Sequence, residues 1–186
     1  TLPSEILSYN NLVISGNRDK ILPANITVTN DLTMDGVTLD ADNTNNYNIS
    51  LGGNLNLLSG GTLDPRAGTF ALIGATAQSV PSGITFNNLQ FDNIGTKSLA
   101  SGGTFSANDF RILAASGSVN FDVGTNITLT GDWSNASASG ASIYSNVEDL
   151  VLENSADQNV AGANTFHNLN INKSSTGHTV NISGTI

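Results

Sequence analysis

The sequence predicts an all-β fold, a right-handed parallel β-helix of short strands with about four turns per internal repeat, and three observations predict it. Apolar and polar residues alternate with period two in runs of three to five residues, which turns one face of each extended segment inward. The 186 residues include 26 Asn, 21 Ser, 19 Thr and 19 Gly. Asn and Gly tolerate left-handed backbone conformations, so this composition implies many corners between short strands. Third, the sequence repeats itself at about eighty residues, the mark of a stacked architecture.

The repeat is read by shifting the chain on itself. A shift of eighty places Leu72, Gln78, Val80, Thr85, Phe86, Asn88 and Leu89 on identical residues at 152, 158, 160, 165, 166, 168 and 169. A shift of 77 places Tyr9-Asn10-Asn11-Leu12-Val13-Ile14 on Phe86-Asn87-Asn88-Leu89-Gln90-Phe91, with Lys20 on Lys97 and Leu22 on Leu99. Residues 1–186 therefore read as one continuous solenoid segment with units at 9–85 and 86–165 and a partial unit at 166–186. Neither end carries the polar cap that a solenoid needs, so the natural chain is expected to continue in both directions.

In chain order, strands are expected at Leu12–Ile14, Ile26–Val28, Leu32–Met34, Val37–Leu39, Tyr47–Leu51, Leu55–Leu57, Val119–Val123, Ile127–Leu129 and Val180–Ile182. The segment Tyr144 to Asn154 carries Val147, Leu150 and Val151 at helical spacing. Its match to Phe70-Ala71-Leu72 through Leu150-Val151-Leu152 favours a strand, with a helix as the alternative. Strands this short fall below the usual five or six residues of free-standing sheets. Coiling solves the difficulty, because each turn adds a short strand to a long parallel sheet and every strand gains neighbours above and below. About twenty residues per turn would give four turns per unit, and the crossover rule gives the right hand.

Composition excludes several functions. Six Lys plus Arg against fifteen Asp plus Glu give a formal charge of -9. Arg18, Lys20, Arg66, Lys97, Arg111 and Lys173 are scattered singly, so no nucleic-acid partner is expected. There is no cysteine for a disulfide or a thiolate metal site. No run of eighteen apolar residues occurs, so no membrane insertion is expected in this segment.

The phenylalanines Phe70, Phe86, Phe91, Phe105, Phe110, Phe121 and Phe166 mostly fall in alternating runs and read as core. Trp133 and Tyr144 are the better candidates for an exposed carbohydrate-stacking platform. Asn10-Asn11, Asn87-Asn88 and Asn168 read as corner residues whose amides form ladders between turns. Gln78 and Gln158, one unit apart, read as structural hydrogen bonds, because repetition argues for architecture. The oxygen-rich loop Asp40-Ala41-Asp42-Asn43-Thr44-Asn45-Asn46 could suit calcium but lacks the EF-hand's spaced Gly and terminal Glu, so it reads as a solvated loop. Asp122 and Asp132 could meet across turns as an acid and a base, yet surface aspartates are expected in an acidic solenoid. His167 and His178 have no neighbouring carboxylate motif. Thr27-Val28-Thr29 and Thr128-Leu129-Thr130 are too few for an ice-binding array, and the sequons at Asn25 and Asn126 are expected by chance in so Asn-rich a chain. No catalytic, cofactor-binding or metal residue is assigned, and no cofactor.

The runs Thr85-Phe86-Asn87-Asn88-Leu89-Gln90-Phe91, Thr165-Phe166-His167-Asn168-Leu169-Asn170-Ile171-Asn172-Lys173 and Ile127-Thr128-Leu129-Thr130-Gly131-Asp132-Trp133-Ser134-Asn135 resemble the repeats of very large adhesin-like surface proteins of Bacteroidota and similar environmental bacteria. The resemblance covers most of the chain. It implies a secreted, surface-anchored or filamentous bacterial protein, exported by the type IX route and acting in attachment or gliding. The expected role is a non-catalytic stalk or adhesive shaft. Its expected partners are further repeats of the same chain, neighbouring subunits or surface glycans. The alternative from another class is a carbohydrate-active β-helix enzyme, a polysaccharide lyase or glycosidase.

Overall fold

Period-two alternation becomes strand after strand. The computed structural model describes residues 1–93, 95–99, 104–113, 119–120, 125–136, 141–142 and 147–185. Among these residues there are 23 β-strands and no helix. In the first unit they are β1 (Ser8–Tyr9), β2 (Leu12–Ser15), β3 (Lys20–Ile21), β4 (Ile26–Val28), β5 (Leu32–Asp35), β6 (Thr38–Asp40), β7 (Ile49–Leu51), β8 (Leu55–Leu58), β9 (Thr62–Asp64), β10 (Thr69–Leu72) and β11 (Gln78–Val80). The second unit holds β12 (Thr85–Phe91), β13 (Gly95–Leu99), β14 (Thr104–Ile112), β15 (Val119–Asn120), β16 (Thr125–Leu129), β17 (Trp133–Asn135), β18 (Ala141–Ser142), β19 (Val147–Asn154) and β20 (Gln158–Ala161). β21 (Asn164–Thr165), β22 (Leu169–Lys173) and β23 (Val180–Ser183) follow. The segment around Leu150 is thus a strand, and its helical spacing is not used.

Every pairing is parallel. In the first unit the ladders β1-β4-β7-β10, β2-β5-β8 and β3-β6-β9 each step three strands along the chain. The coil is therefore three-sided, a parallel β-solenoid. The second unit reproduces these pairings. Phe86 opposite Ala107 repeats Tyr9 opposite Val28, Leu89 opposite Phe110 repeats Leu12 opposite Leu32, and Leu150 opposite Leu169 repeats Phe70 opposite Leu89.

The number of turns per unit differs from the expected four. The first unit has eleven strands. In the second, β12 and β14 each fill two positions, since the Asn87-Asn88 and Asn108-Asp109 corners stay extended where Asn10-Asn11 and Asn30-Asp31 bend. Eleven strands on a three-sided coil make three and two-thirds turns, of about 22 residues each rather than twenty. Each unit therefore starts one side away from the last. The sheet β4-β7-β10 continues into the second half of β12 and on through β14 to β17, β20 and β23.

The core is a set of rows running along the stack. One row, fixed by backbone register, passes through Ile26, Ile49, Phe70, Leu89, Phe110, Trp133 and Val160, all at most 2% exposed. It crosses the boundary between units without a break. Aromatic contacts reinforce it, with Phe110 stacked on Trp133 at 4.5 Å between centroids and Phe70 against Phe86 at 5.2 Å. Phe91 and Phe105 are likewise buried, Phe166 is partly buried, and Phe121 lies outside the described residues.

Corners are held by amide and carboxylate ladders. Asn11 Oδ1 accepts the Asp31 N–H at 3.2 Å, Asp31 Oδ1 the Asn54 N–H at 2.7 Å, and Asn54 Oδ1 the Ser79 N–H at 2.8 Å. The second unit repeats this with Asp109 accepting from Asp132 at 2.9 Å and Asp132 from Asn159 at 2.8 Å. Each bond satisfies a backbone donor that a bend would leave unpaired. Gly52 is required where the chain closes over the coil below, because a Cβ there would lie 2.1 Å from the Thr29 carbonyl oxygen.

Candidate functional site

Two arrangements stand out from the ladders, one inside the coil and one on its surface. The inner one is built on Gln78 and Gln158, which open β11 and β20 with their side chains turned inward and buried. Gln78 Nε2 donates to the carbonyls of Leu51 and Gly53, both at 2.8 Å, in the coil below. Its Oε1 accepts from the Gly74 N–H at 2.9 Å and from Lys97 Nζ at 2.6 Å. Gln158 Nε2 donates to Leu129 O at 3.2 Å and Gly131 O at 2.6 Å, and its Oε1 accepts from Lys173 Nζ. The repeated glutamine is thus a plug at a corner: Leu51 O, which already accepts the Ile73 N–H at 2.8 Å, takes a second donor from the amide, and the Gly53 carbonyl is tied in beside it.

The lysines of the two plugs reach them from different backbone positions. Lys97 lies opposite Gln78 in the ladder, whereas Val180 lies opposite Gln158 and Lys173 comes from β22. Lys97 is fully buried, and its second partner is the Gly74 carbonyl at 2.7 Å. Burial lowers its pKa to about 8, with Asp92 opposing that shift. Lys20, its sequence equivalent, instead bonds the Arg18 carbonyl at 2.8 Å in an exposed position.

The surface arrangement is a polar face of the second unit. Outward residues Thr85, Ser106 and Thr128 stand in register on successive coils. Beside them run Asn87, Asn108 and Thr130, with the Thr130 hydroxyl donating to Asn108 Oδ1 at 3.3 Å. A cleft of about 350 Å3 opens over Phe86 and Ala107 between these side chains. Arg66 borders it from the coil before and Glu153 from the coil after. Arg66 is already engaged, donating from Nε and Nη2 to both oxygens of Asp40 at 2.9 and 2.7 Å and lying 3.2 Å from Asp64. The same outward row exists one unit earlier as Ser8, Thr27 and Ser50.

Asp132 is a ladder residue whose two carboxylate oxygens accept from Asn159, and it does not line the cleft. Asp122 lies outside the described residues, as does Tyr144. Trp133 is not an exposed platform: it is 1% exposed, stacked on Phe110, and its Nε1 donates to Asn164 Oδ1 at 2.9 Å. Its glycine-flanked, polar setting in sequence gave no sign of this, because both the stacking partner and the acceptor come from other coils. His167 lies beside Asn168 Nδ2 at 3.3 Å, and His178 is 3.6 Å from Asp157.

In the Asp40–Asn46 loop the carboxylates are used internally. Asp42 accepts from the backbone N–H groups of Asn45 and Thr44 at 2.9 and 2.8 Å, in that order of effect in holding its pKa below the ordinary value. Asp40 is likewise lowered, chiefly by its bond to Arg66. Of the sequon asparagines, Asn25 Oδ1 accepts from the Asn48 N–H at 2.8 Å as part of a ladder, and Asn126 Oδ1 is buried. The two Thr-x-Thr triplets do not share a row, since Thr27 is registered with Ser8 and Ser50 and Thr128 with Ser106 and Val151.

What the arrangement can do follows from its parts. The plugs and ladders join each coil to the next, and the cleft offers hydroxyls and amides with one unpaired carboxylate, Glu153, among its described lining residues. No protein-family model, curated protein or solved structure matches the chain.

Proposed function

We propose that this segment is a non-catalytic structural shaft of a secreted or cell-surface bacterial protein, serving attachment or filament formation. The observation that supports it is the continuity of the stack across the unit boundary. The row Phe70–Leu89–Phe110 and its sheet pass from one unit to the next with the same hydrogen-bonded register used inside a unit. Units joined this way act as one rod rather than as beads on a linker. The Asp132 carboxylate, one of the two candidates for an acid–base pair, is used in a corner ladder, which supports a structural role for it.

The test is length. Three and two-thirds coils at about 4.8 Å per coil add about 18 Å for each unit. Electron microscopy of chains with two, four and eight tandem units should show straight rods that grow by that increment. Globular particles, or bends at each boundary, would refute the shaft.

A further inference from the structure

We infer that the cleft along Thr85, Ser106 and Thr128 binds a short neutral oligosaccharide lying along the axis of the coil, an inference that rests on the attachment role above and names its ligand class. Among the described residues, the hydroxyls of these three residues and the amide of Asn87 make no hydrogen bond to protein, although polar side chains elsewhere on the coil surface are knit together. Asn10 is bonded by Thr29 and Asn30, Thr38 by Thr62 at 2.9 Å, and Asn54 by Ser79 at 3.0 Å. The cleft thus presents unused groups that both donate and accept, the match for a ligand whose own groups are hydroxyls.

The register sets these hydroxyls one coil apart, about 4.8 Å, so an extended chain laid along the axis meets a new partner at each coil. The floor of Phe86 and Ala107 is apolar, and the volume of about 350 Å3 falls within the range of small-molecule sites. Charge selects against anions: Arg66 is held by Asp40 and Asp64, Glu153 is unpaired among the lining residues, and the chain carries -9 overall. Ser8, Thr27 and Ser50 repeat the row one unit earlier and also make no side-chain hydrogen bond to protein among the described residues. Because each unit starts one side further round, tandem units would present such rows on all three sides of the shaft.

The experiment is a heteronuclear NMR titration of the whole chain with cellotetraose, xylotetraose, mannotetraose and chitotetraose, each up to about 10 mM, and with tetragalacturonate as the anionic control. At least one neutral sugar should shift the amides around Thr85, Ser106 and Thr128, and more strongly than tetragalacturonate. The triple variant T85V/S106A/T128V should bind about tenfold or more weakly, as expected when several hydrogen bonds are lost together. Its unbound spectrum reports whether it is folded. Should it not fold, T128V alone should bind about threefold more weakly. No shift with any neutral sugar, equal binding by the folded variant, or preference for tetragalacturonate would each overturn the assignment. None of these outcomes alters the rod length per unit, so the shaft and its ligand stand or fall separately.

Discussion

Replacing Lys97 tests the most unusual group in the core. Its ammonium is fully buried, and among the described residues its hydrogen-bond partners are the Gly74 carbonyl and Gln78 Oε1. Burial holds its pKa at about 8 against an ordinary 10.5. The unfolded chain therefore keeps a proton between about pH 8 and 10.5 that the folded chain has released, so folding becomes more favourable as pH rises through that window. Below about 8 both states are charged and the full desolvation penalty remains. At about 1.4 kcal/mol per pH unit, the gain across the window is on the order of 3 kcal/mol. Lys97→Met keeps the bulk and removes the charge. Gln78 Oε1 retains the Gly74 N–H, while the Gly74 carbonyl loses its donor. Urea denaturation of both proteins from pH 7.5 to 10.5 gives the quantity needed, the difference in unfolding free energy between them, from which tyrosine titration and general repulsion cancel. That difference should move by about 3 kcal/mol in favour of the parent protein as pH rises. A difference that stays constant, or that moves the other way, would refute the reasoning.

Three further outcomes are expected. Gln158→Leu removes the amide donor to the carbonyls of Leu129 and Gly131 and one acceptor of the Lys173 amine, which keeps the Ala156 carbonyl, and should lower stability by about 1–3 kcal/mol in the same urea assay. Trp133→Leu removes the stack on Phe110 and the bond to Asn164 and should cost about 3 kcal/mol, read from the denaturation midpoint at unchanged slope. Arg66→Gln should lower the melting temperature only slightly at neutral pH, because the pair is partly exposed and screened by solvent. Asp40 is held below its ordinary pKa by Arg66, so that contribution is present above about pH 4 and lost as pH falls through the folded value. Melting curves of parent and variant should therefore converge in acid.

Much of the fold was legible in the chain because its rules are local. A period of two within Ile26–Val28 or Leu55–Leu57 states which side chains face inward whatever the strand later pairs with. The Asn10-Asn11 corner and the repeated Gln78 and Gln158 were readable from the chemistry of their amides, whereas Asn87-Asn88, expected as a corner, runs extended within β12. The correspondence of Tyr9 with Phe86 and of Leu72 with Leu152 carries over to equivalent registers in the stack.

What the tertiary structure decided is everything that depends on which coil lies on which. Lys20 and Lys97 occupy equivalent places in the sequence, yet only Lys97 meets a glutamine on the coil below. Trp133 is amphipathic, and its burial turned on Phe110 lying 23 residues before it and Asn164 lying 31 after. The cleft likewise gathers Arg66, Thr85, Ser106, Thr128 and Glu153 from five successive coils, a set that no motif spacing unites. The expectation of four turns failed on the same ground. Period and alternation fix a strand's faces, but closure of a three-sided coil counts strands, and eleven strands do not close on three sides. Each unit is therefore carried a third of a turn round from the one before.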